Sequence, residues 1–167
     1  MMMLKPLKPI PLVAALALLL TAAAPGAAVA ADMSPPPEAA AADPLAKARA
    51  RIDAKNWAGA IDELKKVNDT GSADWNNLMG YSHRKAKTPD YAAAERYYNE
   101  ALRIDAKHKG ALEYSGELYL MLGDLGKAEA RLAALGQTCG AGCGEYKDLK
   151  AEIDRFKANG NKFAAKP

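Results

Sequence analysis

The two cysteines are the residues in this chain whose type and spacing most readily suggest chemistry. Cys139 and Cys143 are the only cysteines, and three residues separate them. The pair could form a structural disulfide, which an oxidising compartment favours. It could act as a redox couple, because a nearby helix N-terminus lowers a thiol pKa. It could also bind copper or zinc, but that needs further ligands and none lies close in the sequence. We predict the structural disulfide, with thiol-redox or metal-handling chemistry as the alternative.

The other reactive side chains favour no catalytic site. His83 lies at a core-facing position and is expected to be packed and hydrogen-bonded, whereas His108 lies between two lysines and is expected to be solvated. Glu113 and Glu117 are four residues apart, a spacing common on solvated helix faces, so we assign them no acid–base role. The chain contains no nucleophile elbow and no phosphate-binding glycine loop. We therefore predict a protein that is not an enzyme and has no cofactor or metal.

The N-terminus carries the pattern of a secretory signal peptide over residues 1–30. Lys5 and Lys8 precede an uncharged, largely apolar run over 12–24, and small residues at 28–30 suit signal peptidase. An uncleaved anchor is the competing interpretation, but a spanning helix needs about 20 apolar residues. We expect cleavage, no membrane span in the mature chain, and a periplasmic location in a bacterium with two membranes.

Charge and composition describe the rest of the chain. Without the two lysines of the signal, 21 basic residues face 20 acidic ones. This nearly neutral balance argues against a nucleic-acid partner, which needs a basic face. Residues 31–43 are rich in proline and alanine and are expected to form a linker. Good helix formers dominate the remainder, which predicts an all-α domain over residues 44–157.

A 34-residue repeat organises that domain. Trp57, Tyr91 and Leu125 are 34 residues apart, and related residues follow each of them at offsets of 3, 7 and 10. The followers are Ala60, Leu64 and Val67; Ala94, Tyr98 and Ala101; Ala128, Leu132 and Leu135. These offsets fall on one face of an α-helix, and this period is typical of helix–turn–helix arrays.

The second and third copies resemble the tetratricopeptide repeat. The matching residues are Leu78, Met79, Gly80, Tyr91, Ala94, Tyr98 and Ala101 in the second copy, and Gly116, Tyr119, Gly123, Asp124 and Ala128 in the third. The sequence departs from the family pattern at Arg51 and His83, where tyrosine is usual, and at Ala106, where proline is usual. The resemblance extends to small exported repeat proteins of Gram-negative bacteria. It implies a right-handed superhelix and a non-catalytic scaffold that binds proteins or peptides.

The repeats are expected at about 44–72, 73–106 and 107–136. A capping helix is expected at 144–157, where Tyr146, Leu149, Ile153 and Phe156 form one apolar stripe. Residues 158–167 are expected to form a flexible tail.

The resemblance also implies a groove lined by the first helix of each repeat. The residues expected to face it are Asn77, Tyr81, Arg84, Lys85, Glu113, Tyr114, Glu117, Leu120 and Met121. Tyrosine, methionine and arginine are enriched in interface cores, which favours contact with a partner. In the competing interpretation Leu120 and Met121 pack on the capping helix, and the charges are solvated. Self-association through exposed end faces is a further alternative. No basic clamp for a terminal carboxylate is recognisable.

Overall fold

The computed structural model describes residues 43–164, which form seven α-helices and no strand. The helices are α1 (Ala46–Asp53), α2 (Trp57–Val67), α3 (Ala73–Lys85), α4 (Tyr91–Ile104), α5 (Lys109–Met121), α6 (Leu125–Cys139) and α7 (Gly144–Ala158). The proposed signal peptide, nearly all of the proposed linker and the last three residues of the tail lie outside the described residues.

The helices pack in chain order as three pairs and a closing helix. α1 packs on α2, α3 on α4 and α5 on α6, and each pair also contacts the next through α2–α3 and α4–α5. α7 packs against both α5 and α6 and so closes the array. The predicted all-α helical repeat is confirmed. None of α1 to α7 is long and apolar enough to cross a membrane.

The repeat period also sets the helix starts. α2, α4 and α6 begin at Trp57, Tyr91 and Leu125, the three bulky residues of the period. The residue before each is an N-cap whose side-chain oxygen accepts a hydrogen bond from the backbone N–H three residues on. These caps are Asn56, Asp90 and Asp124, with N–O distances of 3.0, 2.8 and 3.0 Å. Each such cap stabilises its helix by about 0.5–2 kcal/mol, so this column defines where every second helix starts.

Small residues allow the helices within and between pairs to approach closely. Ala60, Ala94 and Ala128 are all fully buried. A Cβ at Gly80 would meet the Tyr98 ring at 2.8 Å, and one at Gly116 would meet the Leu149 side chain at 2.5 Å. Gly80 therefore fits α3 onto its own partner α4, whereas Gly116 fits α5 onto the closing helix.

Replacing Gly80 with alanine is expected to destabilise the fold by about 1–3 kcal/mol, because the added methyl group overpacks a fully occupied site. It would lie 3.1 Å from the backbone oxygen of Ala94 as well as against Tyr98, so a shift of one side chain cannot relieve it. Urea denaturation measures the change. Gly126→Ala is the control, since its Cβ would lie 3.7 Å from its nearest neighbour, a side-chain oxygen of Asp124. Equal stability of the two variants would contradict the close approach at Gly80.

Candidate partner-binding groove

A recess of about 430 Å³ lies between α3, α5 and α7. Seven of the nine residues predicted to face a groove line it. They are Tyr81, Arg84 and Lys85 on α3, and Glu113, Tyr114, Glu117 and Met121 on α5. Glu152 of α7 and Phe163 complete the lining. We call this set of nine lining residues the groove. Whether it binds a partner remains a prediction.

Two tyrosines form the aromatic wall of the groove. The rings of Tyr81 and Tyr114 lie with their centroids 4.7 Å apart, and Trp57 of α2 packs edge-on against Tyr81 at 5.7 Å. The guanidinium carbon of Arg84 lies 5.4 Å and 5.6 Å from the two tyrosine centroids, within the range of a cation–π interaction. The wall therefore joins residues from two consecutive repeats.

Arg84 is buried and anchors a network beneath this wall. Its side chain is 4% exposed, and its Nη1 lies 2.7 Å from a carboxylate oxygen of Glu117. Its Nε donates to the hydroxyl of Tyr98 at 3.3 Å. Burial raises the pKa of the nearby Tyr114 phenol from its ordinary value of 10.0 to about 12. The network links α3, α4 and α5 and positions the groove side chains.

Glu113 differs from its neighbours because the described residues supply no hydrogen bond or ion pair to it. The residue is 9% exposed and lines the groove, which corrects the expectation of a solvated carboxylate. Burial raises the pKa of its carboxyl to about 8, and the nearby Glu117, Asp148 and Glu145 add to the rise. The structure thus holds a buried carboxyl group that is largely protonated at neutral pH.

Replacing Glu113 with glutamine is expected to stabilise the protein at high pH. The pKa in the fold exceeds the ordinary value of 4.5, so the wild-type protein loses stability as the pH rises from the ordinary value to about 8. Glutamine does not ionise, so the variant should melt at least about 5 °C above wild type at pH 9, with a much smaller difference at pH 5.

Thermal melts followed by circular dichroism at pH 5, 7 and 9 measure this difference. Glu129→Gln is the control, because Glu129 is 47% exposed and paired with Lys157 on the surface. A gain at pH 9 no larger than that of the control would show that Glu113 ionises as an ordinary solvated carboxylate.

Two residues predicted to face the groove lie elsewhere. Leu120 is fully buried in the core that α5, α6 and α7 share, which corrects its assignment to the groove. Asn77 is 7% exposed and packs beside Gly110, between α3 and α5. Successive residues of a helix point about 100° apart, so Leu120 turns to the core where Met121 reaches the groove.

Sequence reasoning missed Glu152 and Phe163. Glu152 is buried, at 6% exposure, although it is charged. A signal was available, because Glu152 lies three residues after Leu149 and four before Phe156, on the apolar side of α7. Phe163 follows the end of α7, is 38% exposed, and belongs to no periodic pattern.

The cysteines lie at the opposite end of α7 from Phe163. Their sulfur atoms are at disulfide-bonding distance, with Cys139 the last residue of α6 and Cys143 the N-cap of α7. Glu145 places a carboxylate oxygen within 4.8 Å of both sulfurs. The expectation that no further ligand lies close in the sequence was therefore wrong, because Glu145 is two residues after Cys143. The carboxylate also contacts Nζ of Lys109 at 3.1 Å.

The two histidines have structural roles. His83 stacks on Tyr97 with ring centroids 5.5 Å apart, and burial lowers its pKa. His108, expected to be solvated, instead caps α5 by accepting a hydrogen bond at Nδ1 from the backbone N–H of Ala111. Its Nε2 lies 2.8 Å from a carboxylate oxygen of Asp74, which ties α5 to the start of α3.

Comparison with known proteins gives one family match. Residues 89–153 match the family model of the tetratricopeptide repeat. The matched stretch contains α4, α5 and α6 and two-thirds of α7, so it covers one side of the groove and its closing helix. No curated protein matches the chain.

Proposed function

We propose that this protein is a tetratricopeptide-type scaffold without catalytic activity, whose groove binds a protein or peptide partner in the cell envelope. The observation that carries the proposal is the groove itself: a recess between three helices, walled by two tyrosines and floored by a buried arginine. A family match over residues 89–153 supports a protein-binding role.

The composition of the groove suits recognition better than a chemical step. Tyrosine, arginine and methionine are the residues that interface cores favour, and the buried arginine is held in place before any partner arrives. The partner is expected to insert one or two side chains, because a recess of about 430 Å³ takes no more. A contact of this size supports weak to moderate affinity.

The location in the envelope rests on the sequence pattern of residues 1–30. A positively charged start, an apolar run and small residues before Ala31 are typical of a cleaved export signal. A nearly neutral body argues for a protein partner over a nucleic acid. Self-association is an alternative use of the same fold, and light scattering of the mature chain distinguishes a monomer from a higher oligomer.

A second candidate function uses Cys139 and Cys143 for thiol-redox or metal-handling chemistry. The observation in its favour is Glu145, whose carboxylate oxygen lies near both sulfurs. A thiol titration of the native protein, with and without Zn²⁺, tests it. Unreactive sulfurs indicate a structural disulfide, whereas labile thiols that Zn²⁺ protects would support the second function.

In-cell photo-crosslinking tests the groove. A photoreactive amino acid at Lys85, which lines the groove and is exposed, should capture a specific protein that mass spectrometry can identify. The matched control is the same probe at Lys127, an exposed lysine of α6 that lies near the Tyr119 ring of α5. A folded protein that yields the same adducts at both positions, or none at Lys85, would contradict groove binding.

A further inference from the structure

We propose that the groove recognises a partner segment carrying a positively charged side chain, lysine or arginine, and that Glu113 receives this charge. The inference rests on the proposed function and specifies the chemistry of the partner. A site that binds the terminal carboxylate of a partner needs a basic side chain. The groove instead offers a carboxyl group, so we expect the partner to carry the positive charge.

Glu113 is a carboxylate of the groove that forms no ion pair with any described residue. Arg84 is committed to Glu117, Lys109 to Glu145 and Arg155 to Glu152. Lys85 lies exposed, away from the protein interior. No described cation therefore pairs with Glu113, although the residue is 9% exposed and lines the recess. A buried carboxylate without a partner is costly, and an incoming cation removes that cost.

The surrounding charges favour a cation at this position. The charged groups that act on the Glu113 carboxyl are Glu117 on its own helix, Arg84 on α3, and Asp148 and Glu145 on α7. Three of these four are acidic. The other titratable side chains that line the recess are Tyr81, Lys85, Tyr114 and Glu152. Burial is the largest cause of the raised pKa of Glu113, the three acids add to the rise, and a bound ammonium or guanidinium group would lower the pKa again.

The geometry indicates an organic cation and not a metal ion. Among residues 43–164, the one group of three potential ligands close enough to share an ion is Cys139, Cys143 and Glu145. Glu113 belongs to no such group. The tyrosine wall and Met121 offer apolar contact to the methylene stem of a long basic side chain, which a bare ion could not use. A lysine or arginine side chain therefore fits the recess better than a metal.

Binding should be coupled to the ionisation of Glu113. The carboxyl has a pKa of about 8 in the free protein and must lose its proton to pair with a cation. Affinity for a lysine peptide should therefore rise about 20-fold between pH 6.5 and 8.5, because lysine itself stays protonated over this range. The Glu113→Gln variant has no proton to release and should show no such rise.

The test uses the mature full chain and three pools of acetylated, amidated peptides with randomised flanks. The central residue is lysine, its uncharged isostere norleucine, or glutamate. At pH 8.5 the lysine pool should bind at least tenfold more tightly than the norleucine pool, and Glu113→Gln should remove the preference. Glu129→Gln is the control and should preserve it, because Glu129 is an exposed carboxylate of α6 that pairs with Lys157 and does not line the groove.

Each other outcome contradicts the inference and shows which of its steps is wrong. If the norleucine or glutamate pool binds as tightly as the lysine pool, the groove binds peptides but not through a charge on Glu113, and the proposed function stands. If Glu113→Gln keeps the lysine preference, another carboxylate supplies it. If no pool binds, the inference fails, while crosslinking at Lys85 still decides the proposed function.

Discussion

Replacing Arg84 with alanine is expected to lower the free energy of unfolding by about 3–5 kcal/mol, because the change empties a buried site and leaves the partly buried Glu117 without its counter-ion. Arg84 is 5% exposed, and its guanidinium contacts Glu117 and the hydroxyl of Tyr98. Its loss also removes the cation that lies beside both the Tyr81 and the Tyr114 rings. The groove should then lose the buried group that its two tyrosines contact.

A second arginine in an ion pair provides a matched control. Arg103 forms a two-pronged contact with Glu100 on the surface of α4, and its side chain is 71% exposed. Surface pairs of this kind contribute about 0–1 kcal/mol, so Arg103→Ala should change the urea midpoint little. If the two alanine variants lose the same stability, Arg84 is solvated in the native protein and does not form this buried network.

Replacing Trp75 with alanine is expected to cost about 3–5 kcal/mol, the range for a large aromatic removed from a core. Trp75 is 4% exposed and packs with Leu45, Leu64 and Met79. Its indole N–H donates to the backbone oxygen of Leu64 at 2.7 Å. One side chain of α3 thus holds the α1–α2 pair, which is the copy with the weakest repeat signature.

Hydrogen exchange locates this effect as well as measuring it. The amides of α1 and α2 should lose more protection in Trp75→Ala than those of α5 and α6, because the removed contacts lie on the first pair. Trp75→Phe keeps an aromatic ring and loses the hydrogen bond, so it should cost about 1–2 kcal/mol. Equal loss of protection along the whole chain would show that the first pair is not held through Trp75.

The 34-residue repeat was sufficient to predict the fold, because helix starts and helix faces depend on residues that are close together in the sequence. The bulky residue of each copy starts a helix, and the residues 3, 7 and 10 positions later share one face. Seven of the nine predicted groove residues lie in one recess for the same reason, since register along α3 and α5 repeats with the period. Local patterns of this kind are visible in a single sequence.

The remaining features depend on contacts between segments that are distant in the sequence. Glu113 is buried because it lines a recess that α7 closes. The residue pattern of α5 does not predict where α7 packs. The sequence left two positions open for Leu120, and in the structure it packs in the core that α5 shares with this helix. Phe163 reaches the groove from beyond the last helix, without any periodic signal. Long-range packing decides each of these positions, and one sequence does not show it.

Binding of a partner in the groove is best tested by measuring the affinity of a protein captured by crosslinking at Lys85. Isothermal titration of that partner should show at least about tenfold weaker binding to Tyr81→Ala, because aromatic side chains at the centre of an interface carry much of its energy. Tyr97→Ala is the control, since Tyr97 is a partly buried tyrosine of α4 that packs on Trp75 and His83, away from the groove. We expect this folded control to bind with an affinity within about twofold of wild type. Weaker binding to Tyr97→Ala than to Tyr81→Ala would show that the partner binds another face and not the groove.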